Sequence, residues 1–106
     1  MQARDGFIKD NIQAIGVDSF PDNTDVTWNI RRVWHEGDFS MVEAEPTPPT
    51  VGYPSFRFVL QFVGGASQGV VAGCYALTKA GWSLLFTAPG TGSQWQSMFA
   101  SARAKP

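Results

Sequence analysis

The segment that most constrains this chain is residues 55–63, where Phe56, Phe58, Leu60 and Phe62 alternate with Arg57, Val59, Gln61 and Val63. A period of two sends alternate side chains to opposite faces, so this is a strand with one strongly aromatic face. Its backbone donors and acceptors need neighbouring strands, and its aromatic face needs a covering layer. The flanking sequence supplies candidates for both. Residues 26–35 and 39–45 alternate, and Gly37-Asp38 between them suits the centre of a type II′ hairpin. That turn sets Trp34 opposite Met41 and Arg32 opposite Glu43. Residues 70–78 and 82–87 follow, separated by Lys79-Ala80-Gly81.

Helices are expected at both ends. In residues 3–15, Phe7, Ile8, Ile12 and Ile15 gather on one side of a helix, and Gly16 is a natural stop. Residues 16–25 read as turn chemistry. Near the C-terminus Ser93 is a fitting N-cap, and Trp95, Met98, Phe99 and Ala102 form one apolar stripe. The reading is an α+β fold in one domain, residues 1–106. It consists of a single five-stranded antiparallel meander with an N-terminal and a C-terminal helix packed on it.

Pooling strands by parity gives two faces. One collects Trp28, Trp34, Phe39, Met41, Phe56, Phe58, Leu60, Phe62, Tyr75, Leu77, Trp82, Leu84 and Phe86. The other carries smaller residues, among them Val33, Val42, Ala44, Val59, Ala72, Cys74 and Ala76, with Arg31, Arg57 and Gln61 interleaved. A water-facing sheet surface would carry more Thr, Lys and Glu than this second face does. It is therefore expected to be covered, and self-association through Val59, Ala72, Cys74 and Ala76 is one way to cover it.

Composition narrows the partners. Hydrophobic residues make up 43% of the 106 and charged residues 16%, which excludes a disordered chain. Eight Lys/Arg against nine Asp/Glu, with Arg31-Arg32 the only adjacent basic pair, argues against a nucleic-acid surface. A net charge of −1 leaves little repulsion between copies, so a homo-oligomer is expected. No apolar run approaches the ~20 residues of a membrane span, no signal-peptide core follows Met1, and one cysteine permits no internal disulfide. A cytoplasmic protein without a cofactor or a membrane partner is the expectation.

Several residues invite a chemical reading. Arg32 and Glu43 fall among Trp28, Trp34 and Met41, where they form either a charged pair recognising a polar ligand against indole walls or an ordinary cross-strand ion pair. Tyr53, in the proline-rich loop from Pro46 to Pro54, is placed to lid that face, and Tyr75 lies on it. Trp28, Arg32, Trp34, Glu43, Tyr53 and Tyr75 are therefore the candidate binding residues. His35, Glu36 and Asp38 sit at the hairpin tip, but neighbouring strand residues point apart. Cys74 lies in an apolar strand with no local activating base. The Gly64–Gly69 loop lacks the Lys-Ser/Thr ending of a phosphate loop, and Gly90-Thr91-Gly92 reads as a helix approach.

The pattern of residues 56–104 adds a resemblance. An alternating strand leads to Val70-Val71-Ala72-Gly73-Cys74-Tyr75, then Trp82-Ser83-Leu84-Leu85-Phe86-Thr87-Ala88-Pro89, then Trp95, Met98 and Phe99 on a closing helix. This resembles the PsbP-like fold, although the Gly-Asp hairpin stands where that family has an intervening helix. The resemblance implies an antiparallel sheet covered by helices on both faces and used for binding or assembly without catalysis. The cone of the nuclear-transport-factor-like fold is the competing analogy. It implies a small-molecule-binding or enzymatic domain with an aromatic-lined cavity between sheet and loop.

Overall fold

The computed structural model describes residues 3–62 and 68–88. Helix α1 (Ala3–Ser19) precedes five strands: β1 (Thr27–Glu36), β2 (Phe39–Thr47), β3 (Phe56–Gln61), β4 (Val70–Thr78) and β5 (Gly81–Thr87). They form one sheet in chain order β1-β2-β3-β4-β5, every neighbouring pair antiparallel. The expected meander and N-terminal helix are present. The expected C-terminal helix lies outside the described residues.

The hairpin follows its turn chemistry. Gly37 has φ of 58° while no non-glycine residue among those described, Asp38 included, has positive φ, the sign pattern a type II′ centre requires. Trp34 pairs with Met41 and Arg32 with Glu43. Strand β2 continues through Pro46 to Thr47, past the stop expected at Pro46. Its pairing with β3 ends at Ala44–Phe56, so β2 is already an edge at Pro46, where a missing donor is tolerated.

Alternation holds along β2 and β3, but the faces combine differently from the pooled parity. Register places Val42, Phe58, Cys74 and Phe86 in one row and Ala44, Phe56 and Ala76 in another. These belong to the core cluster that packs with Ile8, Ile12 and Ile15 of α1. Phe39, Met41, Val59, Ala72 and Tyr75 form a second cluster on the other face, with Trp34 and Trp82 against it. The Phe56 and Phe58 rings stand beside the smaller Val42, Ala44, Cys74 and Ala76 of the neighbouring strands. Bulges complete the rearrangement. Register shifts after Ile30 on β1, between Val59 and Leu60 against β4, and between Cys74 and Tyr75 against β5. Each such shift inverts the parity of the strand beyond it.

Helix α1 runs past Gly16 to Ser19, and Phe20 N–H closes the last turn on the Gly16 carbonyl at 3.0 Å. Gly16 is instead a point of close approach. A Cβ there would stand 2.1 Å from the Trp28 indole nitrogen. Gln13 secures the same junction, accepting from Trp28 N–H at 2.9 Å and donating to the Val26 carbonyl at 2.7 Å. Phe20, from the segment read as turn, packs its ring against both Trp28 (5.7 Å, stacked) and Phe56 (5.0 Å).

This contact predicts opposite outcomes for two helical glycines. Gly16→Ala gains up to about 1 kcal/mol of helix propensity but must displace the indole, at about 1–3 kcal/mol, so urea unfolding should show net destabilisation. Gly6→Ala, whose Cβ meets nothing within 4 Å, should stabilise by about 0.5–1 kcal/mol.

Candidate functional site

The six candidate residues do not share one face. Trp28 and Tyr53 lie on the α1 side, where Trp28 meets Phe56 and Phe58 edge-on (5.2 and 5.4 Å) and Tyr53 meets Phe56 at 5.9 Å. The bulge beyond Ile30 separates Trp28 from Arg32 and Trp34, which fall on the opposite face with Glu43 and Tyr75. Tyr53 contributes instead to a shallow hollow of about 480 Å³ with Gly52, Pro54, Leu77, Thr78 and Lys79.

On that opposite face the space between indoles is filled by the protein's own guanidinium. Arg57, beside Glu43 in register, stacks over Trp82 (4.1 Å to the ring centroid) and Trp34 (4.8 Å). Its Nε and Nη2 donate to Glu43 Oε1 at 3.0 and 2.9 Å. Arg32 approaches Glu43 Oε2 at 3.7 Å from a half-exposed position. The Glu43 and Arg57 side chains are 9% and 6% exposed, so the pair sits at low dielectric, where partners are obligatory. Stacking satisfies the guanidinium faces while its edge takes the carboxylate. The charged pair expected to recognise a ligand is thus occupied internally, and its main cation is Arg57 rather than Arg32. The sequence carried a signal for this: Arg57 is the one charged residue of β3, and a cation in so apolar a strand needs an acidic partner on a neighbour.

Polar groups at the hairpin also sort differently. His35 turns toward α1, with Nε2 2.6 Å from Asp5 Oδ1 and Nδ1 2.7 Å from Ser40 Oγ. The order Asp–His–Ser matches a nucleophilic relay, but Ser40 is 0% exposed and out of any substrate's reach. The chain clasps the hairpin to the helix, aided by Arg4, which donates to the Phe39 carbonyl at 3.3 Å. Among the described residues no group of three His, Cys, Asp or Glu could hold a metal. Burial pushes the Cys74 thiol far above its ordinary pKa, so no thiolate is available there.

A second concavity, larger than the hollow beside Tyr53, lies on the α1 side. Five strands at ~4.8 Å spacing make a sheet about 19 Å wide, whereas a helix with its side chains is only about 10 Å across. Helix α1 sits toward β1, leaving a cleft of about 550 Å³ against β4 and β5. Phe7, Ile15, Val71 and Phe86 form apolar walls, and Asn11, Asp18, Ser19 and Thr87 bring polar groups to it. Asn11 donates to the Phe7 carbonyl at 2.8 Å, which ties its side chain back to its own helix. Sequence reasoning missed this site. It assigned residues 16–25 to a turn, so Asp18 and Ser19 were not seen as helical residues facing the sheet.

The chain matches no protein-family model, no curated protein and no solved structure, so the resemblance to the PsbP-like fold is neither supported nor refuted by relatives.

The buried pair makes a stability prediction. Glu43→Ala strands the Arg57 charge at low dielectric and should cost about 3–5 kcal/mol in denaturant unfolding. Removing the exposed Arg31–Glu45 pair with Arg31→Ala should cost no more than about 0.5 kcal/mol.

Proposed function

We propose that this protein is a binding module that admits a small, largely apolar molecule to the cleft between α1 and β4–β5. The observation that carries the reading is the cleft itself: apolar walls, a few convergent polar groups, and a volume within the usual range of ligand sites. The site lies between helix and sheet rather than between sheet and loop. Val59, Ala72, Cys74 and Ala76 offer little surface to another copy, since each is at most 1% exposed within a single copy and they divide between the two faces.

A second reading, assembly of copies, draws on a different place. Among the described residues strand β5 has β4 on one side only, and it carries neither charge nor proline, the usual protections of an edge. Leu84 on β5 is 44% exposed and Val70 on β4 is 64% exposed. Pairing of β5 with β5 of another copy would extend the sheet.

N-phenyl-1-naphthylamine, an uncharged dye that fluoresces in apolar surroundings, tests the first reading. It should bind saturably at one site per chain. Ala14→Trp, which fills the cleft from an exposed helical position, should weaken binding at least tenfold while leaving the melting temperature within a few degrees. Absence of saturable binding, or equal binding by the variant, contradicts the reading. For assembly, sedimentation should give a dimer that Leu84→Lys converts to monomer; a monomeric parent protein removes that reading.

A further inference from the structure

The polar end of the cleft has a definite sign. Asp18 is the one charged side chain among the described cleft-lining residues, it is exposed, and no described residue pairs with it. It stands in the last turn of α1, which contains no basic residue. The helix macrodipole places its negative end there, so an aspartate in that turn opposes the favourable arrangement and gains nothing in stability from it. The surrounding sequence offers no compensation. Residues 10–30 contain four aspartates and no lysine, arginine or histidine. The strand side of the cleft, Gly69, Val71, Phe86, Thr87 and Ala88, is uncharged. A charge held against its local preference, at the mouth of an apolar cavity, is the kind of rule-breaking that marks a site rather than a scaffold.

We infer that the cleft selects a cationic ligand, an apolar body carrying a protonated amine, with the amine at Asp18 and the body between Phe7, Ile15, Val71 and Phe86. This inference rests on the cleft-binding reading above and adds the ligand's class to it. An ammonium group is drawn to the carboxylate and to the negative end of the helix together, and the neighbouring Ser19 hydroxyl oxygen can accept a further N–H. A carboxylate-bearing ligand meets repulsion from both sources. A neutral ligand meets neither attraction nor repulsion and sets the baseline.

The test is displacement of N-phenyl-1-naphthylamine by three molecules with one body: 2-(1-naphthyl)ethylamine, 2-(1-naphthyl)ethanol and 1-naphthaleneacetic acid. At pH 7 and low salt the amine should displace the dye about fivefold more strongly than the alcohol, and the acid should be the weakest. Asp18→Asn should bring amine and alcohol together without changing the alcohol, and 0.5 M salt should have the same effect on the unaltered protein. Equal displacement by amine and alcohol, or an amine preference that survives Asp18→Asn, overturns the cationic class while leaving the cleft as a binding site. Failure of all three to displace the dye overturns the class and the cleft reading together.

Discussion

The placement of α1 depends on one close contact, the Trp28 indole lying against the backbone of Gly16. Only a residue without a Cβ lets the helix come this near to a tryptophan on the first strand. The indole, in turn, is held by Phe20, Phe56 and Phe58. Gln13 then completes the start of β1 with its side-chain amide, as a neighbouring strand would. Anchored on this side of the sheet, a single helix cannot also cover β4 and β5. The cleft is therefore a consequence of how the helix docks.

The two faces of the sheet solve different problems. On the helix side large rings on β3 alternate laterally with small residues on β2 and β4, which leaves a surface level enough for α1 to settle on. Each of those buried rings contributes about 1.5–3 kcal/mol. On the other side Met41, Val59 and Ala72 pack beside Arg57 and Glu43, and the indoles of Trp34 and Trp82 enclose the guanidinium. A buried ion pair of this kind adds little net stability over an apolar replacement, but it makes other registers costly. Slipping β3 by one residue against β2 would carry Arg57 into the aromatic layer beneath α1.

Much of this was legible in the sequence, at the scale of one element. The period of two in β3, the Gly37-Asp38 hairpin with its Trp34–Met41 and Arg32–Glu43 register, and the Ile8-Ile12-Ile15 stripe follow from local patterns. The relation between elements did not. Met41 and Val42 are both apolar, so nothing local says which of them lies beside Phe58; the register that pairs Arg57 with Glu43 puts Val42 there. The bulge after Ile30 showed only as Arg32 breaking the parity of Val26, Trp28, Ile30 and Trp34, since Arg31 and Arg32 read equally well as outward-facing residues. This bulge alone moved Trp28 away from Arg32 and Trp34 and dissolved the aromatic pocket expected around them. Gly16 was legible as special, but its reason is a tryptophan twelve residues later rather than the end of a helix.

The docking of α1 is most directly tested by nuclear Overhauser contacts at Gly16. The account predicts strong contacts between the Gly16 α-protons and the Trp28 indole, α-proton resonances moved upfield by its ring current, and none between α1 and Tyr75 or Trp82. Contacts from α1 to Tyr75 or Trp82, with Gly16 showing no proximity to Trp28, would place the helix on the other face of the sheet and contradict it.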